Sequence, residues 1–322
     1  MSVPGFQQRF HEDWGFLQDA HVRSLAWLLT SPHLLDRNAN IWAGALQGPE
    51  PLPLTVIHDY LSRLDRHPES LHQLIGARPV KRLGLYAEIL FLHFLNEFFH
   101  VWRHGLQIRD DKGKTIGEFD FLVQQDHGLV HWELASKFYL FCKTEVSPVQ
   151  PAFGDYLGPN LSDTLEAKIH KMLQHQLRLG QHEFAQSALP EQLLRSQAWI
   201  KGWLFYSRNV SGADYPLADG IAADHCRGWI WTVSEFERMT DVEGVILERL
   251  CWLAPAACAA SQIQRQQVLM GQVREHFLRS DTPLLLAEME RDAQRAHEVQ
   301  RAMLVPDDWF ARAQRSQHLR QA

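Results

Sequence analysis

The sequence predicts an α/β protein in which a helix, three strands, a second helix and two further strands follow one another in that order. Three observations support this order. Residues 80–102 are apolar on more than one side, as in a buried helix. Residues 116–125 and 129–142 have the pattern of strands and flank an Asp-His-Gly sequence, which favours a hairpin turn. Residues 197–208 and 227–236 are rich in aromatic side chains, which is typical of strands.

Residues 1–77 are predicted to form an N-terminal helical segment. Apolar side chains recur at helical spacing over residues 19–35, and this helix is expected to end near Ser31, because Pro32 disfavours a helical residue before it. Residues 54–67 show a second amphipathic pattern. These helices precede the part of the chain in which helices and strands alternate.

Residues 78–236 are predicted to form the core. Its first strand is expected at residues 101–110, ahead of the hairpin. The helix after the hairpin is expected to begin at Ser162 or Asp163, since both residue types suit an N-cap, and to end just before Gly180.

Residues 237–322 are predicted to form a C-terminal helical segment. Residues 281–304 show the strongest pattern, with Thr282 as a capping residue and Pro283 at the first helical position. Long terminal helices can pack on the core or join two chains, so the sequence leaves a homo-oligomer open.

Composition and charge narrow the classes of function. A net charge of −6 and a pI near 6.3 argue against a protein coated with basic residues for binding nucleic acid, although a local basic groove is compatible with them. The four cysteines form no CxxC pair, which favours free thiols in a reducing compartment. We recognise no signal peptide and no membrane span, and therefore expect a cytoplasmic protein without a membrane partner.

Several familiar catalytic motifs are incomplete. Gly113-Lys114-Thr115 resembles the end of a phosphate-binding loop, but Ile108 stands where that loop needs a glycine. The sequence contains neither a GxSxG nucleophile elbow nor an HExxH zinc motif. Hydrolases of these classes are therefore not predicted.

Acidic and amine side chains interrupt the apolar strands of the predicted hairpin. Glu133 and Lys137 share one face of the third strand, and Asp120 on the second strand can lie beside Glu133. Two adjacent carboxylates repel each other unless a proton or a cation intervenes. Such oxygen-rich sites suit Mg²⁺ or Mn²⁺, and a nearby lysine can stabilise developing negative charge. Glu88 in the preceding helix is a candidate third carboxylate. The alternative is a purely structural network of ion pairs.

This order of helix, strands and charged residues resembles the PD-(D/E)xK nuclease superfamily over roughly residues 78–236. The whole chain is also similar to DUF1853, a bacterial family of uncharacterised proteins that is placed in this superfamily by remote similarity. The segments "GLYAEILFLHFL", "GEFDFLV" and "HWELASKFYL" carry the resemblance. It implies a restriction-endonuclease-like αβββαβ core with additional N-terminal and C-terminal helices, and a metal-dependent nuclease activity.

The resemblance also implies roles for individual residues. Asp120 and Glu133 would bind Mg²⁺ or Mn²⁺, and Glu88 would help to hold the metal or orient its water. Lys137 would position the nucleophile or stabilise the transition state. The helix after the hairpin often lines the substrate groove in such enzymes, and here it carries four candidate substrate-binding residues: Lys168, Lys171, Gln174 and Arg178.

One departure from the superfamily pattern concerns the lysine. The motif has its lysine two residues after the acid, where this chain has Ala135, and Lys137 lies about 7 Å further along the strand. A lysine side chain spans that distance, or Lys168 or Lys171 supplies the amine instead. Two main hypotheses follow: a magnesium-dependent nuclease acting on DNA or RNA, and a catalytically impaired nuclease-like protein that binds nucleic acid or another protein. An interaction protein without a nucleic-acid partner is the third.

Overall fold

The computed structural model describes residues 5–49, 52–77, 79–143, 150–208 and 217–321. Within these residues the α-helices are α1 (Phe6–Trp14), α2 (Ala20–Thr30), α3 (Leu54–Arg66), α4 (Glu69–Gly76), α5 (Leu83–Phe98), α6 (Leu165–Lys171), α7 (Glu183–Ala188), α8 (Val233–Arg238), α9 (Gln266–Phe277) and α10 (Trp309–Gln321). The strands are β1 (His100–Arg109), β2 (Thr115–Gln125), β3 (Gly128–Phe141), β4 (Tyr156–Leu157), β5 (Leu193–Tyr206), β6 (Cys226–Thr232), β7 (Glu243–Leu247), β8 (Ala257–Ala259), β9 (Gln264–Arg265), β10 (Leu284–Arg291) and β11 (Arg295–Val305). Residue 78, where the predicted core begins, lies outside the described residues.

One mixed sheet runs through the described chain, and its main path is β1-β2-β3-β5-β6-β11-β10-β7-β9. The short strands β4 and β8 pair with β3 and β11. The β1–β2 and β2–β3 pairs are antiparallel, whereas β3–β5, β5–β6 and β6–β11 are parallel. Parallel neighbours need a crossover connection, and α6 and α7 lie on the one between β3 and β5. The predicted α/β class is confirmed.

Strand β3 separates the two sides of the core. Its side chains alternate, so Leu134 and Phe138 pack in the cluster that contains α5, while Ala135 and Tyr139 pack in the cluster that contains α6. Helices α5 and α6 therefore lie on opposite faces of the same strand. The helices α1 to α3 also contribute to the α5 side. None of the helices in the described part of the chain is long and apolar enough to cross a membrane.

The prediction of a helix over residues 281–304 is wrong, because these residues form the antiparallel hairpin of β10 and β11. The description of residues 237–322 as a helical segment is wrong for the same reason, since β7 to β11 belong to the shared sheet. Leu, Ala, Glu, Met and Arg dominate this stretch and favour helices, but tertiary pairing overrides such propensities. Leu285, Leu286 and Ala287 are buried in succession, which hides the alternation expected of a strand.

A buried ion pair attaches the loop before β8 to strand β11. Arg301 and Glu298 are both inaccessible to solvent, and the guanidinium donates to both carboxylate oxygens at 2.6 and 2.8 Å. It also donates to the carbonyl oxygens of Trp252 and Ala254, at 2.6 and 2.7 Å. The carboxylate of Glu298 in turn accepts the backbone N–H of Ala256 at 2.8 Å. The pair is therefore fully hydrogen-bonded and fixes the path of residues 252–256.

We expect Glu298→Gln to destabilise the fold strongly, because the charge of Arg301 would then be buried without a partner. Breaking a buried pair in this way costs about 3–5 kcal/mol of unfolding free energy. Urea unfolding followed by circular dichroism measures the loss.

The matched control is Glu243→Gln, which breaks the more exposed pair with Arg291 at 2.9 Å. Such surface pairs contribute about 1 kcal/mol or less. Equal losses in the two variants would contradict the structural importance of the Arg301–Glu298 pair.

Candidate functional site

Strands β2 and β3 pair closely only near their hairpin turn. The register places Leu122 opposite His131 and Phe121 opposite Trp132, and the ladder ends there. The earlier part of β2 continues to pair with β1. At the point of separation, the backbone N–H of Leu134 donates to the carboxylate Oδ2 of Asp120 at 3.0 Å. A side chain thus replaces the next strand-to-strand hydrogen bond.

Asp120 and Glu133 come together at this separation. Continuing the antiparallel register beyond Phe121 and Trp132 sets Asp120 opposite Glu133, and both carboxylates border the same cavity. Burial, followed by the charge of Glu133, raises the pKa of Asp120 well above its usual range. Burial also raises the pKa of Glu133 to about 7, although nearby Lys168 opposes this shift. Ionisation of both acids at once is therefore unfavourable unless a cation binds between them.

Glu133 is held from two sides, and its side chain is only 2% exposed. Its Oε1 accepts a hydrogen bond from the amide of Gln176 and lies 3.9 Å from Nζ of Lys168. Lys168 also donates to Oε1 of Gln176 at 3.0 Å, so lysine, amide and carboxylate form a chain of contacts. Burial lowers the pKa of Lys168, which makes its amine easier to deprotonate than an exposed one.

The helix that carries Lys168 differs from its prediction. Its N-cap is Thr164, whose hydroxyl accepts the backbone N–H of Ala167 at 3.1 Å, instead of Ser162 or Asp163. After α6 the chain forms a π-helix over Met172–Gln176, a feature often found at functional sites.

Two of the four candidate substrate-binding residues border the cavity and two do not. Lys168 and Lys171 border the cavity, whereas Gln174 and Arg178 are exposed and lie outside its lining. Gln176, which was not singled out from the sequence, faces Glu133 instead. The position of Gln176 depends on the π-helix, and the sequence of this segment contains no pattern that predicts a π-helix.

Glu88 reaches the cavity from α5, on the other face of β3. Burial, and then the charge of Asp120, raises the pKa of Glu88 to about 8. Lys137 also borders the cavity, but its Nζ lies 3.9 Å from Oδ2 of Asp163. The structure therefore brings all six predicted acidic and amine residues to one cavity, with Lys168 as the lysine paired with Glu133.

His131 is a further residue that the sequence did not indicate. It is fully buried against Phe119, with ring centroids 4.8 Å apart. Its Nε2 lies 3.6 Å from Oε2 of Glu133, and neither ring nitrogen has a hydrogen-bond partner among the described residues. Burial lowers the pKa of His131 to about 3, so the ring is neutral near neutral pH.

The cavity has a volume of about 900 Å³ and passes around the free edge of β3. Basic side chains border it on both faces of the strand, in addition to the carboxylates. On the α6 side these are Lys137, Lys168 and Lys171, and on the α5 side they are Lys81, Arg82 and Arg249. A cavity with acids at its centre and cations around them suits an anion that arrives together with a metal ion.

The donor chemistry fits Mg²⁺ or Mn²⁺. Oε2 of Glu133 is a buried carboxylate oxygen without a hydrogen-bond partner in the described chain, and Asp120 supplies further oxygens beside it. Within the described ranges, no three His, Cys, Asp or Glu side chains converge as a ready-made metal site. Mg²⁺ is commonly bound by one or two carboxylates plus water and substrate phosphate, so two acids suffice.

The fold and this cavity define a mixed α/β protein with a buried carboxylate pair at the edge of a strand. The model of the family described as "Domain of unknown function (DUF1853)" matches residues 23–305, and the chain belongs to this family. No curated protein matches the chain. No solved structure matches it either.

The raised carboxylate pKa values predict how stability depends on pH. The folded chain holds protons on Glu133 and Glu88 up to about pH 7 and about pH 8, whereas the unfolded chain releases them near their ordinary pKa of 4.5. The resulting stabilisation is complete below the ordinary pKa and is lost as pH rises through the folded values. The loss approaches about 1.4 kcal/mol per pH unit for each group.

Buried histidines such as His131 act in the opposite direction below about pH 6.5, so a comparison of variants isolates the acids. In urea unfolding without metal, the stability of wild type relative to Asp120→Asn with Glu133→Gln should fall as pH rises from about 4.5 to about 7. Glu290→Gln, which removes an exposed acid on β10 outside the cavity lining, should follow wild type. Parallel pH profiles for all three proteins would contradict the raised pKa values.

Proposed function

We propose that the protein is a metal-dependent nuclease that cleaves phosphodiester bonds in nucleic acid. The observation that carries the proposal is the carboxylate pair of Asp120 and Glu133, buried in a cavity with basic side chains on both sides. Repulsion between two such acids is relieved by a divalent cation, and the surrounding cations suit a phosphate backbone. Membership of DUF1853 names no activity, so the chemistry of the cavity is the main support.

The order of elements gives further support. Helix α5, strands β1 to β3, helix α6 and strand β5 follow the αβββαβ order of a restriction-endonuclease-like core, with β4 and α7 as additions. The acids also lie at corresponding places: Glu88 on the first helix, Asp120 on the second strand and Glu133 on the third. We therefore place the chain in the PD-(D/E)xK superfamily as part of this proposal.

The residues of the cavity have distinct tasks in the proposed reaction. Asp120 and Glu133 would hold Mg²⁺ or Mn²⁺, which supplies Lewis-acid chemistry for attack of water on a phosphodiester. Lys168, paired with Glu133, stabilises the negative charge that develops on the phosphoryl oxygens. Gln176 fixes the orientation of both side chains through its two hydrogen bonds. Glu88, protonated near neutral pH, can donate a hydrogen bond or accept a proton once a cation lowers its pKa.

The second candidate is a nuclease-like binding module without turnover. The position of Lys137 favours it, because this displaced counterpart of the motif lysine lies near Asp163 and not near Glu133. Such a protein would bind metal and oligonucleotide and leave the oligonucleotide intact. Cleavage assays on single-stranded, duplex and branched DNA and RNA separate the two functions.

The metal site is tested first by calorimetry with Mg²⁺ and Mn²⁺. We expect wild type to bind, and Asp120→Asn with Glu133→Gln to lose about tenfold or more in affinity, because the neutral amides keep the shape and remove the charge. Glu290→Gln on β10, an exposed acid outside the cavity lining, is the control for the loss of one acid and should bind as wild type does. Undiminished binding by the double variant would refute the site.

A second test decides which lysine supplies the amine. Lys168→Met should lower the cleavage rate by about 100-fold while metal binding persists, since the loss concerns the transition state. Lys137→Met should stay within about threefold of wild type, because its partly exposed pair with Asp163 contributes little. The reverse pattern would assign the amine to Lys137.

A further inference from the structure

The α5 side of the cavity holds a group of three cations that form no ion pair with another described residue. Arg249 borders the cavity from the turn before Trp252, and its guanidinium lies 4.6 Å from the centroid of the Trp252 ring. It makes no hydrogen bond and no ion pair with another described residue. Partial burial lowers the pKa of Arg249, and no carboxylate among the described residues opposes this shift.

Two more cations border the same wall. Lys81 and Arg82 immediately precede α5, and their side chains form no hydrogen bond or ion pair within the described ranges. The contrast with the α6 side is clear, since Lys137 lies near Asp163 and Lys168 near Glu133. The three cations therefore lie together on the face of β3 opposite the paired lysines, and of the three only Arg82 is close enough to an acid, Glu88, to lower its pKa appreciably.

The backbone at this wall is open to a ligand as well. Helix α5 has 16 residues and no side chain caps its N-terminus, where Arg82 is the N-cap residue. Gly84 borders the cavity in the first turn, and a Cβ at this position would meet nothing within 4 Å. The first amide groups and the positive end of the helix dipole reinforce the field of the three cations.

We propose that Arg249, Arg82 and Lys81 form a phosphate-binding subsite, separate from the metal site and occupied by a phosphate group of the nucleic-acid strand next to the cleaved bond. The proposal rests on the proposed nuclease function for the identity of its ligand. The planar guanidinium of Arg249, held over Trp252, presents paired N–H donors that match two phosphate oxygens. A phosphate here and one at the acid pair would hold a single strand around the edge of β3.

The test measures binding without metal, so that it does not depend on Asp120 and Glu133. Fluorescence anisotropy in EDTA follows a short labelled single-stranded oligonucleotide over a series of salt concentrations. We expect Arg249→Gln and Arg82→Gln each to weaken binding by about tenfold and to reduce the salt slope by about one, as for the loss of one phosphate contact. Arg249→Lys keeps the positive charge but lacks the paired N–H donors of the guanidinium, so it should bind more tightly than Arg249→Gln and less tightly than wild type.

The matched control is Arg279→Gln, just beyond the C-terminal end of α9, which removes the same charge from a residue outside the cavity lining. It should leave the affinity and the salt slope unchanged. Oligonucleotides with a 5′-phosphate, a 3′-phosphate or no terminal phosphate distinguish a terminal from an internal phosphate as the ligand. The inference is supported if the binding of at least one of these oligonucleotides depends on Arg249.

The inference is overturned if wild type does not bind in EDTA, or if Arg249→Gln binds with the affinity and salt slope of the Arg279→Gln control. Neither result bears on metal binding by Asp120 and Glu133. Conversely, absence of metal binding with intact Arg249-dependent oligonucleotide binding would refute the nuclease chemistry and leave a phosphate-binding protein. Circular dichroism of each variant verifies that it folds.

Discussion

The hydrogen bond from the N–H of Leu134 to the carboxylate of Asp120 is the contact on which the cavity depends. A sheet loses stability where two strands part, because backbone donors and acceptors must find other partners. Here a side chain takes over one of these bonds, so β2 can leave β3 without exposing that amide group. The same contact brings an acid beside Glu133. The same hydrogen bond therefore accounts both for the separation of the strands and for the position of the acid pair.

The position of β3 explains why charges from distant segments meet at this place. Helix α5 packs on one face of the strand and α6 on the other, and the free edge lies between them. Glu88 and Arg82 approach from one face, and Lys168 and Lys171 from the other. Their charges act through the partly desolvated space at the edge, where interactions are stronger than in water. Burial destabilises the ionised form of each acid, so a positive charge placed between the two would stabilise both.

The sequence predicted the local features of the site better than the long-range ones. Alternation and a turn at Asp126 and His127 were sufficient for the hairpin and for the pairing of Asp120 with Glu133. The β10–β11 hairpin was missed because its composition favours a helix and only its neighbours in the sheet make it a strand. Gln176 was missed because an α-helical spacing was assumed. Arg249 lies more than a hundred residues from Glu133, and no local pattern reports such proximity.

The π-helix after α6 changes which side chains of this segment face Glu133. A π-turn contains one residue more than the α-turn that it replaces, so the chain beyond it is rotated by about 100° per inserted residue relative to a regular continuation. A change of hydrogen-bond register over Met172–Gln176 would turn Gln176 away from Glu133 and bring a neighbouring side chain into its place. The π-turn is thus the feature that lets this segment complete the chain of contacts between lysine, amide and carboxylate.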